Sequence, residues 1–127
     1  MDEKSIKNLI LYYSKDNRFH YKQESSLAFE GKTPGCDDHI VLYFKSESNE
    51  KVTVSFTAKS CTLSRACTAI LLEQVNQLTL KQIDKLDFSA ITSVIGDKMA
   101  YSRVTCTRLA FDTLKGAINQ ILRYEKA

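Results

Sequence analysis

His39-Ile40-Val41-Leu42-Tyr43-Phe44-Lys45 and Lys51-Val52-Thr53-Val54-Ser55-Phe56-Thr57-Ala58, joined by Ser46-Glu47-Ser48-Asn49-Glu50, decide the fold. Both runs are rich in β-branched and aromatic residues, and the polar connection has hairpin length, so they read as two antiparallel strands. Setting Leu42 opposite Phe56 and Phe44 opposite Val54 brings the apolar positions onto one face. Continued backwards, that register carries Cys36 opposite Thr62, beside Cys61. Asp38 lies two residues from Cys36 and shares its face, which is also the face of Ile40, Leu42 and Phe44. A hairpin returns to its origin, so residues far apart in sequence converge at one end of it.

Working outward, about Ser25–Glu30 supplies a third strand candidate. Asp2–Tyr13 reads as a helix, with Ile6, Leu9, Ile10 and Tyr13 on one face and acid at the N-terminus, where the dipole favours it. Beyond the hairpin, Leu63, Ala66, Cys67, Ile70, Leu71, Val75 and Leu78 form an apolar helical stripe. Thr79 followed by Gln82 makes a capping box that opens a short helix through about Lys85. Cys106, Leu109, Ala110, Leu114, Ala117, Ile118, Ile121 and Leu122 lie on one stripe of a final helix from near Thr105 to about Arg123. Strands followed by helices predict an α+β domain: a small, about three-stranded antiparallel sheet with helices packed on one face.

The chain has 127 residues, 43% hydrophobic and 26% charged, with one Pro and four Gly. That is the composition and length of a single globular domain spanning residues 1–127, large enough to bury a core without disulfides. The longest apolar stretch, Ala69–Leu72, falls far short of the ~20 residues of a membrane span. Met1-Asp2-Glu3 offers neither a basic nor an apolar leader region, so the expectation is a cytoplasmic protein without membrane contact. Net charge is +3, and the basic residues are scattered without a run or an interleaved aromatic platform. Nucleic acid is therefore not an expected partner.

The cysteines carry the chemistry. In a cytoplasmic setting Cys36, Cys61, Cys67 and Cys106 are thiols rather than disulfides. No CxxC pair occurs, which excludes a zinc ribbon or thioredoxin-like motif, so any metal site is assembled from distant segments. Cys36, Asp38 and Cys61 converge at the hairpin end, and Cys106 falls in a first helical turn that can pack there. Three thiolates and a carboxylate make a tetrahedral set for zinc, or anchors for an iron–sulfur cluster. The alternative is isolated half-buried cysteines, a common setting for free thiols. Cys67 lies inside the apolar stripe and reads as a packing residue. Alternation points His39 to the opposite face, and His20 sits in a polar stretch with no evident partner.

These residues resemble a family. Pro34-Gly35-Cys36-Asp37-Asp38 resembles the P-x-C-G-D motif of the IscU/SufU group, the NifU N-terminal-like scaffolds of iron–sulfur cluster assembly. Phe56-Thr57-Ala58-Lys59-Ser60-Cys61-Thr62-Leu63-Ser64-Arg65-Ala66-Cys67 is similar to its F-x-G-x-G-C-x-I-S-x-A-S segment. Arg103-Val104-Thr105-Cys106-Thr107-Arg108-Leu109 is similar to the R-x-x-C-x-x-L segment of the SufU branch. Leu9–Arg18, with Tyr13, loosely resembles the N-terminal helix and its H-Y-x-x-P-R-N turn. Asp37 stands where the family has Gly, Ala58 and Ser60 replace two further glycines, and Thr105 replaces the His or Lys before the third cysteine. The L-P-P-V-K motif and the SufU insertion are both missing, so the chain matches neither branch in full.

The resemblance implies an α+β fold and a metal or cluster site formed by Cys36, Asp38, Cys61 and Cys106. It further implies a non-enzymatic scaffold that binds zinc or a transient iron–sulfur cluster. A cysteine desulfurase would be the sulfur donor and apo iron–sulfur proteins the recipients. Cys106 is the first candidate to accept persulfide sulfur, because a helix start favours thiolate; Cys36 and Cys61 are the others. The alternative function is a thiol-dependent enzyme, a peroxidase or sulfurtransferase using one low-pKa cysteine, although no base or Arg motif adjoins any of them. A metal-free interaction module is the third reading.

Overall fold

The computed structural model describes residues 2–24, 26–33, 37–46, 51–76 and 78–126. The chain runs α1 (Glu3–Ser14), β1 (Leu27–Lys32), β2 (His39–Ser46), β3 (Val52–Lys59), α2 (Thr62–Val75), α3 (Leu80–Asp84), α4 (Ser89–Ile95), α5 (Asp97–Ser102) and α6 (Val104–Lys126). The strands form an antiparallel sheet in the order β1-β2-β3. Leu42 pairs with Phe56 and Phe44 with Val54, the register that the apolar pattern predicts. A slip of one residue would have turned Leu42, Phe44, Val54 and Phe56 to the wrong face, so burial enforces this pairing.

Those four side chains and Ile40 are buried in one core with Leu71, Leu72, Leu114 and Ile118, where α2 and α6 pack on the sheet. α1 lies against α2 through Ile10. Its start is fixed by Asp2, whose carboxylate accepts the Ser5 N–H at 2.8 Å, satisfying one of the orphan donors of a helix N-terminus. The capping box of α3 forms as expected: Thr79 Oγ1 accepts from the Gln82 N–H at 3.2 Å, and Gln82 Oε1 accepts from the Thr79 N–H at 2.9 Å.

Three features differ from the sequence reading. β1 extends past Glu30 to Lys32, because Gly31 still pairs with Ile40 and Lys32 with His39. Gly31 permits a close approach: a Cβ there would stand 1.9 Å from Thr113 Oγ1 of α6. The final helix begins at Val104 and continues to Lys126. Between α3 and α6, two short helices appear that periodicity does not announce, separated by Gly96 at φ +85°, a left-handed conformation that favours glycine.

The outer edge of β3 is covered. Asn76, at the end of α2, accepts the Val54 N–H at 2.8 Å and donates to the Val54 carbonyl at 3.0 Å. Further along, the Phe56 N–H donates to the Phe19 carbonyl at 2.8 Å. No helix among the described residues is long and apolar enough to cross a membrane.

Candidate functional site

Three elements deliver three donor atoms to one place. Asp38 stands one residue ahead of β2 and is buried, on the core side as alternation requires. Cys61 is the N-cap of α2, and its Sγ accepts the Ser64 N–H at 3.4 Å. Cys106 lies in the first turn of α6 and is buried. A carboxylate oxygen of Asp38 and the Sγ atoms of Cys61 and Cys106 all lie within 4.8 Å of one another. Zinc bonds of about 2.0–2.3 Å give tetrahedral edges of roughly 3.3–3.8 Å, so a small inward movement would bring these donors to metal-binding distance. Cys36, the fourth member of the expected set, lies outside the described residues.

The electrostatics suit an ion. Asp38 Oδ1 accepts the Cys61 N–H at 3.0 Å, which ties the carboxylate to the helix start. Asp38 Oδ2 is buried and has no hydrogen-bond partner among the described residues. A buried carboxylate oxygen in that state is costly unless a cation or donor meets it. Burial raises the Cys61 thiol above its usual range, the Ser64 N–H opposes this, and neighbouring Cys106 and Asp38 raise it further. Two thiols and a carboxylate crowded together repel as anions, and a divalent cation relieves that repulsion. The donor set therefore fits zinc or iron.

Other residues fall as their pattern suggests, with one exception. Cys67 is fully buried in the core, and burial pushes its thiol up to about 12. His39 is on the opposite face, with Nε2 3.0 Å from Glu30 Oε1. His20 is the exception, because it does have partners. Its ring packs on Phe56 at 4.9 Å, and its Nδ1 lies 2.9 Å from Arg65 Nη2, which also donates to Asn17 Oδ1 at 2.9 Å. The chain reversal after α1 creates these contacts, and no local spacing announces them.

The surroundings hold polar groups that the sequence reading passes over. Thr33 donates its backbone N–H to the Asp38 carbonyl at 3.1 Å, and Arg65 donates its own to the Cys61 carbonyl at 3.0 Å. Hydroxyls at helix starts and strand ends read as caps and turns, which hides them. Thr33 and Thr105 also line a cleft of about 600 Å³ between β1 and α6.

Comparison with known proteins gives a consistent picture. The family model described as the NifU-like N terminal domain matches residues 9–127. An iron–sulfur cluster assembly scaffold protein, IscU of Thermotoga maritima, is 28% identical over 131 aligned positions, covering 90% of this chain and 92% of that protein. A crystal structure described as an iron–sulfur cluster assembly scaffold for the SUF system, from Fervidobacterium islandicum, superposes with a TM-score of 0.72 at 28% identity. The match covers 92% of this chain and 99% of that one. The N-terminal part of a NifU-like protein from Brucella abortus shares the fold, with a TM-score of 0.71 at 20% identity over 94% of both chains.

Proposed function

The chain belongs to the NifU-like N-terminal domain family, and from that premise we propose that it is a non-enzymatic scaffold of iron–sulfur cluster assembly. In this reading Asp38, Cys61 and Cys106, joined by Cys36, bind zinc in one state and hold persulfide sulfur or a nascent cluster as cargo in another. The observation that carries it is the convergence of Asp38, Cys61 and Cys106 from three separate elements to within 4.8 Å.

Sulfur arrives from a cysteine desulfurase. A site thiolate, Cys106 in the first instance, attacks the outer sulfur of the desulfurase persulfide. The new S–S bond forms as the old one breaks, and the electron pair leaves on the desulfurase cysteine. The sulfur or the assembled cluster then passes to an apo iron–sulfur protein. A carboxylate among thiolates is the ligand that exchanges most readily, which suits a site that must release its cargo. This chemistry belongs in the cytoplasm, where thiols remain reduced.

Metal analysis tests the reading. Protein purified anaerobically is expected to carry, or take up, about one zinc ion per chain, and to form a cluster from ferric iron and sulfide. Cys61→Ser and Cys106→Ser should each abolish cluster formation, while Cys67→Ser retains it. A wild-type protein that melts cooperatively yet takes up neither zinc nor a cluster overturns the proposal.

A further inference from the structure

The buried polar atoms without a hydrogen-bond partner among the described residues are unevenly placed. They belong to Thr33, Asp38, Ser60 and Ser64, each of which is or adjoins Asp38 or Cys61, to Arg65, whose guanidinium instead reaches Asn17 and His20, and to Ser55 in the middle of β3. Native proteins leave few such atoms, because each forfeits hydrogen bonds it had in water. The hydroxyls of Thr33, Ser60 and Ser64 point to an acceptor that the described residues do not supply, whereas Asp38 Oδ2 calls for a cation or a donor.

Ser64 is the clearest case. Its side chain is fully buried, and its own N–H already holds Cys61 Sγ. A hydroxyl inside a helix ordinarily donates to the carbonyl four residues back. Thr68 does this to Ser64 at 2.8 Å, and Thr113 does it to Leu109 at 2.8 Å. Ser64 lies in the first turn of α2, where no carbonyl of its own helix stands four residues back, so its buried hydroxyl is left without a partner one turn from the sulfur. Thr33, likewise buried, is tied through its backbone to Asp38 and leaves its own hydroxyl unspent.

We propose that Ser64 and Thr33 are positioning residues whose hydroxyls donate hydrogen bonds to an anionic sulfur atom of the cargo, so that the site recognises sulfur as well as metal. This rests on the scaffold reading above. The sulfur has two sources: the terminal atom of a persulfide, or sulfide in a nascent cluster. Zinc alone brings no such acceptor. The hydroxyls therefore govern retention of sulfur-bearing cargo and leave zinc affinity untouched.

Ser64→Ala, Thr33→Val and the hydroxyl-retaining Thr33→Ser separate these effects. Zinc affinity is measured by chelator competition, and cluster lifetime by visible absorbance after anaerobic reconstitution with ferric iron and sulfide. Persulfide lifetime follows from mass spectrometry after loading with inorganic polysulfide. In Ser64→Ala and Thr33→Val, zinc affinity is expected to stay within about threefold of wild type. Cargo lifetime should fall about tenfold, the scale of one hydrogen bond to a charged acceptor, and Thr33→Ser should restore it. Loss confined to persulfide or to cluster identifies the sulfur recognised. The melting temperature of the metal-free variants should be unchanged or higher, since an unsatisfied group has been removed. Unchanged lifetimes of both cargoes, or zinc affinity falling in step with them, overturn the inference. A wild-type protein that binds neither zinc nor cluster instead overturns the scaffold reading on which it rests.

Discussion

Cys61 and Cys67 begin and line the same helix, yet burial gives their thiols different chemistry. Cys61 is half-buried and caps the helix, whereas Cys67 is sealed among Leu63, Ile70 and Leu71 in the core. Its thiol is pushed up to about 12 by that burial, with Cys61 and Cys106 adding to the effect. Since the thiolate is the reacting species, iodoacetamide at about pH 8 should label Cys61 in chelator-treated protein well ahead of Cys67. Peptide mass mapping over time checks this, and equal rates would contradict the burial argument. A three-and-four spacing of apolar neighbours marks Cys67 as core in the sequence, and it is fully buried in the structure. The same spacing does not reveal Ser64, whose significance lies in a hydrogen bond it fails to make.

At the scale of elements, the approach of α6 to β1 hangs on one residue without a side chain. A Cβ at Gly31 would collide with Thr113 Oγ1, and that hydroxyl is held by its bond to the Leu109 carbonyl. Gly31→Ala should therefore destabilise the protein by about 1–3 kcal/mol, the range for overpacking. Adding Thr113→Ala should recover most of the loss. Denaturant melts of the two variants decide it, and equal destabilisation in both would place the strain elsewhere. The hairpin register is legible because the alternating apolar positions Ile40, Leu42, Phe44, Val52, Val54 and Phe56 are all buried, although Tyr43 and Ser55 on the other face are buried as well. The end of β1 is not, since glycine reads as a strand breaker and its partner in α6 is some eighty residues away. α4 and α5 were hidden for a different reason: each is too short to display a period, and the positive φ of Gly96 divides them.

Across the whole molecule, the segment after α1 is pinned to β3 and α2 through Phe19, His20 and Arg65. Burial, and then the Arg65 charge, lower the His20 pKa below its usual value near 6.5. The unfolded chain thus takes up a proton at a higher pH than the folded one, and stability falls as pH drops from about 6.5 towards the folded value. Thermal melts between about pH 8 and pH 5 should show this decline, and His20→Gln should flatten it. An unchanged slope in the variant would assign the decline to other groups. The convergence of Asp38 and Cys61 was legible because a hairpin with a known register fixes both its ends. The arrival of Cys106 depended on how the last helix docks, which periodicity alone leaves open; there the family motifs supplied what the pattern could not.

The order of the donors along the chain has a consequence for biosynthesis. Synthesis is vectorial, so Asp38 and Cys61 emerge from the ribosome while Cys106, forty-five positions later, is still to be translated. Its placement further requires Leu114 and Ile118 to seat against the sheet. A nascent chain therefore presents an incomplete chelate to the cell's metal pools, and a chain truncated before the last helix never presents more. On the scaffold proposal, capture of an ion or a sulfur atom at the full constellation would double as a proofreading step, since only a finished, correctly packed polypeptide would be fit to be loaded.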